Sequence, residues 1–319
     1  MLPRSPARAK PPIRCAGWNG LEWGLRTLPT LLKTLLKSAV TDCRFDFHCH
    51  SLASDGALTP TELVERAAGA GVQLLALTDH DTLAGQHEAR QAASAAGIRL
   101  IAGIEVSVGW DGRELHLVGL GFDPDHPEVS ALVASQQQAR TLRAERIGGR
   151  LDKAAGLANS YQRTVALSAQ DAPGRPWFAK MLVAAGKVRD EQHAFNRYLK
   201  PGQSCFVATP WVSMDAAVAA IRAGGGVAVL AHPTRYSFTR RKLRRCLDHF
   251  VAAGGAALEV LTPGLNPQQQ ALLAECLRDF PLHASGGSDF HTPKQTWLEL
   301  GRLPPVPADM PLVHSLIGA

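Results

Sequence analysis

The 319-residue sequence has no apolar run of the roughly 18–20 residues that a membrane span needs, so no membrane partner is expected. Its six cysteines (Cys15, Cys43, Cys49, Cys205, Cys246 and Cys276) form no CxxC pair. Scattered thiols in a chain this long fit a reducing compartment better than a disulfide framework, which makes a cytoplasmic location the expectation. There is no internal repeat. Excess charge is absent from most of the chain as well. Residues 1–41 hold seven basic residues against one acid, which is the whole of the net +6, and residues 42–319 balance at 27 of each sign. The basic pI therefore gives no licence for general nucleic-acid binding.

The basic segment 1–41 carries Trp18, Trp23 and a Leu-rich stretch broken by Arg26, Thr30, Lys33 and Lys37. It lacks the unbroken apolar core of a signal peptide. It reads as a disordered N-terminal extension, with an amphipathic helix across 20–38 as the alternative.

Beyond that segment, apolar runs alternate with helical patterns. Short apolar runs at Arg44–His48, Gln73–Thr78, Arg99–Glu105, Leu115–Gly121, Val227–Ala231, Ala257–Leu261 and Leu282–Ser285 are predicted strands. Helical patterns lie between many of them. Thr59-Pro60-Thr61-Glu62 is a helix start, with Thr59 as N-cap and Glu62 closing a capping box. Strand–helix alternation predicts an α/β barrel or layered sheet. It lapses between 123 and 224, where Glu128–Ala155, Trp177–Ala185, Glu191–Tyr198 and Met214–Ala223 read as helices. The expected organisation is a barrel from 42–122 and 225–303, a helical insertion over 123–224 and a C-terminal tail from 304.

The chemistry gathers at strand ends. His48 and His50, two apart, face the same way on a strand and can share a metal, while alternation turns Cys49 away. Asp55 follows in Ser54-Asp55-Gly56, His80 in Thr78-Asp79-His80-Asp81, and Glu105 ends the third strand. His116 sits in the fourth strand, His232 follows the fifth, and Asp289 and His291 follow the seventh. In a parallel barrel the carboxyl ends of the strands converge on one face, where loops build the site. A single histidine would ordinarily be a hydrogen-bonded core or surface residue; six at strand ends together with three acids form a pattern. Imidazole with carboxylate suits Mn2+, Zn2+ or Fe2+, and nine donors are too many for one ion. A bridging carboxylate such as Glu105 makes two or three divalent ions the natural count.

Phe47-His48-Cys49-His50-Ser51, Ser54-Asp55-Gly56, Leu77-Thr78-Asp79-His80-Asp81, Gly103-Ile104-Glu105 and Gly287-Ser288-Asp289-Phe290-His291 together resemble the PHP (polymerase and histidinol phosphatase) family. The resemblance implies a distorted (β/α)7 barrel and a trinuclear centre. It groups His48, His50, Glu105 and Asp289 on one metal, Asp55, His80 and His291 on a second, and Glu105, His116 and His232 on a third. Gly174-Arg175-Pro176-Trp177-Phe178-Ala179, Tyr198-Leu199-Lys200-Pro201-Gly202 and Ala231-His232-Pro233-Thr234-Arg235-Tyr236 are most similar to its TrpH/YciV branch. That branch implies 3′,5′-nucleoside bisphosphate phosphatase activity and 5′→3′ exoribonuclease activity on short 5′-phosphorylated RNA. One position departs: Trp177 stands where the branch commonly has histidine, either packing in a core or stacking on a base.

Metal-activated hydroxide can attack phosphorus near neutral pH, so no protein nucleophile is expected. Arg175 and Arg235 are the phosphate-binding candidates, because guanidinium holds phosphate oxygens bidentately. Arg240, Arg241, Lys242, Arg244 and Arg245 form a denser run that is either an RNA grip or a solvated helix face. The expected partner is a nucleotide or short RNA substrate, and no protein partner is indicated. The alternatives are a histidinol-phosphate-type phosphatase, an amidohydrolase-type C–N hydrolase, and a PHP-like domain without activity.

Overall fold

The computed structural model describes residues 44–307 and 310–317. The expectations for residues 1–41 lie outside the described residues. Seven strands form one sheet in chain order: β1 (Phe45–Asp46), β2 (Leu74–Leu77), β3 (Arg99–Trp110), β4 (Arg113–Leu120), β5 (Val227–Leu230), β6 (Ala257–Leu261) and β7 (His283–Gly286). The chain beyond β1 pairs with the chain beyond β7. Phe47 N donates to Gly286 O at 3.1 Å, Asp289 N to His48 O at 2.7 Å, and His50 N to Phe290 O at 2.9 Å. These bonds join the first and last strands and close the barrel on the residues that carry His48, His50 and Asp289. Gly287 permits the approach, since a Cβ there would fall 2.2 Å from that of His48.

An all-parallel barrel does not form. β4 runs antiparallel to both β3 and β5. The cause is local: Asp111 and Gly112, with φ of 47° and 70°, make a two-residue hairpin turn in place of a helical crossover. His116 therefore lies in the first half of its strand, not at the carboxyl end. Because β4 is reversed, that half sits beside the carboxyl ends of its neighbours. Glu105 opposes Val118 across the ladder, so His116 is its diagonal neighbour on the same face.

The helices are α1 (Pro60–Gly69), α2 (Gln86–Ala96), α3 (Pro127–Ala154), α4 (Ser160–Ser168), α5 (Arg175–Ala184), α6 (Glu191–Ala194), α7 (Met214–Ala223), α8 (Arg240–Ala252) and α9 (Pro267–Asp279), with a π-helical turn at Phe195–Leu199. The capping box of α1 is in place: Glu62 N donates to Thr59 Oγ1 at 3.1 Å and Thr59 N to Glu62 Oε2 at 2.8 Å.

Three apolar cores divide the work. The main core joins β3–β7 to α7, α8 and α9. A second packs α1 and α2 on β2, with Cys49 and Phe290 buried in it. The third belongs to the helical stretch, around Ile147, Leu151, Phe178, Met181 and Leu182. Fully burying a side chain such as Phe178 contributes about 1.5–3 kcal/mol. Helix α3 spans two cores: Val129 and Leu132 enter the main one, while Ile147 and Leu151 enter the third. Helix α7, read from sequence as part of the insertion, packs in the main core through Met214, Val218 and Ile221. The C-terminal residues also reach the sheet, where Ala284 pairs with Leu312.

Asp81 fastens α3 to the barrel. It is fully buried with φ of 55°, a left-handed conformation that Asp tolerates. Its Oδ1 accepts from Ser107 N and Gln136 Nε2, both at 2.7 Å, and its Oδ2 accepts from Arg140 Nε at 2.7 Å. Removing this carboxylate strands the largely buried guanidinium of Arg140 and the buried amide of Gln136. Asp81→Ala is expected to lower unfolding stability by about 3 kcal/mol, measured by urea unfolding with chelator present. A loss within about 0.5 kcal/mol, the size of an ordinary surface change, would contradict this role.

The basic run on α8 is largely neutralised. Arg240 pairs with Glu275, Arg244 with Asp279, and Lys242 and Arg245 with Asp111. The solvated helix face is the reading these pairs support.

Candidate metal centre

All nine donors meet at one end of the barrel. Three groups have ligand atoms within 4.8 Å of one another: His50, Asp55, His80 and His291; His48, His50, Glu105 and Asp289; and His80, Glu105 and His116. The third differs from the grouping that the resemblance implies, with His80 in the place expected for His232. His232 is nonetheless adjacent, its Nε2 3.0 Å from Glu105 Oε1.

Glu105 is the hub, only 1% exposed. Its Oε2 lies 3.2 Å from His48 Nε2, 3.2 Å from His50 Nε2 and 3.1 Å from His80 Nδ1. Its Oε1 lies 2.8 Å from His116 Nδ1. Local backbone aims several of these groups. His232 and Asp289 hold φ of 28° and 53°, turning the chain sharply where it leaves the strands.

Outer residues fix the ligands. Glu259, 2% exposed, sits on β6 with Oε1 2.8 Å from His48 Nδ1, while its Oε2 accepts from His232 N at 2.6 Å. Facing that carboxylate, His48 donates through Nδ1, which leaves Nε2 as the nitrogen turned towards the centre. Asp79 receives Ser51 Oγ and Ser54 Oγ, both at 2.6 Å, which fixes the loop carrying Asp55. Asp46 accepts from the backbone N–H groups of Ser288 and Gly301, each at 2.9 Å, steadying the loop of Asp289. Sequence reasoning assigned no role to Glu259 or Glu114. An acid in the otherwise apolar run Ala-Leu-Glu-Val-Leu was the available signal for Glu259.

The donor set fits divalent cations. His48 Nε2, His50 Nδ1, His80 Nδ1, Glu105 Oε2 and His232 Nδ1 are buried without a hydrogen-bond partner. Such orphans are rare in folded proteins and cluster where an ion binds.

Electrostatics points the same way. Burial disfavours charge on His80 and outweighs Glu105 and Asp55, holding it neutral with its pKa lowered to about 3. Burial also opposes charge on His50 and His116. There the carboxylates win, raising His50 to about 10 and His116 to about 9. Glu105 stays ionised, because the surrounding imidazoles overcome its burial. Burial opposes charge on His48 as well, but Glu259, Glu105 and Asp289 raise it well above the usual imidazole range, so His48, His50 and His116 carry protons at neutral pH and must lose them to ligate. Mn2+ binding at neutral pH is therefore expected to release protons, with affinity rising as pH approaches about 9. Calorimetry in two buffers of different ionisation enthalpy reads this release; heats independent of buffer would contradict it.

The remaining candidates lie at the rim. Arg175 Nη2 is 3.4 Å from Glu114 Oε1, and its guanidinium carbon is 5.7 Å from the Phe206 ring centre. Glu114 also accepts from Trp211 Nε1 at 2.8 Å. Arg235 is 58% exposed and pairs with Asp289 Oδ2. Arg175 and Arg235 line a groove of about 880 Å3 that reaches His116, walled by Phe206, Trp211, Tyr236 and Phe238. Trp177 is not a stacking platform: it is 7% exposed, its Nε1 donates to Ser54 O at 2.9 Å, and Lys180 Nζ sits 3.9 Å over its ring. The indole packs behind the Asp55 loop, leaving no face for a base.

The comparisons with known proteins agree with this geometry. The family model of the PHP domain matches residues 46–174. A 5′-3′ exoribonuclease from Haemophilus influenzae is 45% identical, over 86% of this chain and 97% of its own length. A 3′,5′-nucleoside bisphosphate phosphatase from Chromobacterium violaceum is 41% identical, over 82% of this chain and 93% of its own. A solved structure of an amidohydrolase from Chromobacterium violaceum, with bound sulfate and no metal, superposes with a TM-score of 0.79. It is 39% identical and covers 86% of this chain and 96% of its own. Among the described residues, no helix is long and apolar enough to cross a membrane. The chain belongs to the PHP family of metal-dependent phosphoesterases.

Proposed function

We propose that the protein hydrolyses the 3′-phosphoester of nucleotides that carry a 5′ phosphate. With adenosine 3′,5′-bisphosphate (pAp) the products are AMP and phosphate. With short 5′-phosphorylated RNA, breaking the first P–O3′ bond frees a nucleotide and leaves a new 5′ phosphate on the shortened chain, so the reaction can repeat. The observation that carries the reading is the pair Arg175 and Arg235 in one groove that ends at His116. One guanidinium is available to the 5′ phosphate while the other stands at the scissile one. A groove of about 880 Å3 is ample for a nucleotide. The activities of the exoribonuclease and bisphosphate-phosphatase relatives support it.

Divalent ions held by the nine donors, Mn2+ first with Zn2+ or Fe2+ as alternatives, supply an activated water and offset charge on the phosphoryl oxygens. The chain's own residues position and screen. Arg235 stands beside Asp289 at the mouth of the centre. Glu105 keeps its charge against burial and sets the spacing of five imidazoles. Tyr236 Oη donates to Ala231 O and accepts from His116 N, both at 2.9 Å, bracing the strand ends that carry His116 and His232. An amide substrate would bring no anion to draw Arg175 and Arg235 from Glu114 and Asp289, which disfavours the C–N hydrolase reading. Histidinol phosphate would engage only one of the two arginines.

The test offers Mn2+-loaded protein pAp, a 5′-phosphorylated oligoribonucleotide, its 5′-hydroxyl counterpart and histidinol phosphate. Turnover of the first two alone is the expected result. Equal cleavage of the 5′-hydroxyl RNA would defeat the 5′-phosphate requirement.

A further inference from the structure

A second groove meets the metal centre, and Arg175 does not line it. It holds about 570 Å3 and is lined by Asp289 and His291 at its inner end and by Lys180, Lys294 and Trp297 further out. Arg235 lines both grooves, so they join at the centre. Trp297 is 63% exposed, the most exposed of the large hydrophobic side chains among the described residues. An exposed indole beside a phosphoesterase centre offers a face on which a base can stack. Its ring touches no other aromatic ring or cation among the described residues. Its backbone is held all the same: Leu298 N donates to Gln295 O at 2.9 Å, and Leu298 and Leu300 are buried.

Charge distinguishes this groove from α8. The basic residues there are largely paired with acids, whereas neither Lys180 nor Lys294 forms an ion pair among the described residues. Trp177 carries Lys180 at 3.9 Å over its ring, steadying the ammonium at the rim. Two ammonium groups without an ion-pair partner among the described residues and one open indole beside a phosphoesterase centre suit a single-stranded polyanion with stackable bases.

We infer that this groove receives the RNA chain on the 3′ side of the scissile bond, with Trp297 stacking on the base beyond it and Lys180 and Lys294 meeting the phosphates. The inference rests on the proposed function. If the 5′ phosphate lies at Arg175 in the first groove and the scissile phosphate at the metals, the rest of the chain must leave on the opposite side. Apart from Arg235 the two grooves share no lining residue among the described residues, so the groove of Trp297 offers the chain a way out that Arg175 does not line. Free pAp has no such chain and does not reach it.

The test compares kcat/KM for a 5′-phosphorylated RNA pentamer with that for pAp. Trp297→Ala is expected to lower the RNA-to-pAp ratio about tenfold, the scale of one lost base–aromatic stack. Trp297→Phe should recover most of it. Lys294→Gln should reduce the salt dependence of RNA turnover more than that of pAp. Phe206→Ala, in the first groove, should lower both substrates together and leave the ratio unchanged. An unchanged ratio in Trp297→Ala, or equal loss on both substrates, overturns the inference while the proposed function stands. A ratio that moves with Phe206 instead would place the chain in the first groove and overturn it too. Wild-type protein that turns over neither substrate defeats the proposed function, and this inference with it.

Discussion

Glu105→Gln is expected to lower kcat on pAp by at least about 10³-fold, beyond the 10–100-fold typical of changes outside the ligand shell. The substitution keeps the shape and removes only the charge. Glu105 belongs to two of the three ligand groups, and its two oxygens face five imidazoles. An amide oxygen is a weaker ligand, and the amide nitrogen would point a donor at rings that already lack acceptors. Metal content should fall with activity, read by elemental analysis after dialysis. Because Gln fills the same volume, the fold should survive, as judged by circular dichroism. Activity within tenfold of wild type would mean that the hub is structural.

Asp289→Asn is expected to cost roughly as much, about 10³-fold in kcat by comparison with removal of one transition-state donor. Asp289 Oδ1 is 3.2 Å from His50 Nε2 and 3.5 Å from His48 Nε2, and Oδ2 pairs with Arg235. Burial resists its charge, but His48, His50, His291 and Arg235 outweigh burial and hold the carboxyl ionised. Asn is the informative replacement, since it tolerates the left-handed backbone at φ of 53° where alanine would add strain. That ligand group is reduced to one carboxylate, Glu105, while the group of His50, Asp55, His80 and His291 keeps its own, so partial metal retention with lost turnover is the signature. Retained turnover would remove Asp289 from the ligand set.

The ordered donors were legible in the sequence because they follow short apolar runs, and every such run became a strand. The direction of β4 was not read, although Asp111-Gly112 between two apolar stretches is a hairpin signal. Taking all strands as parallel put the wrong reason behind His116: it reaches the site because its strand is reversed. Helix α4 escaped for a different cause. The side chains it buries are Ser160, Thr164 and Ser168, a small polar face with no apolar period to detect. A Cβ on Gly148 would fall 2.6 Å from that of Tyr161, showing how closely α3 and α4 approach. The outer residues Glu259, Asp79 and Asp46 act through distant backbone and imidazole partners, which only three dimensions supply. Trp177 was open between packing and stacking until its hydrogen bond to Ser54 O decided it.

The central claim is that nine side chains spread from His48 to His291 hold several divalent ions at one end of the barrel. Anomalous X-ray diffraction from crystals grown with Mn2+ tests it most directly. At least two separate peaks are expected, one among His50, Asp55, His80 and His291 and one among His48, His50, Glu105 and Asp289. Peaks found only elsewhere on the protein, with this cluster devoid of anomalous signal, would contradict it.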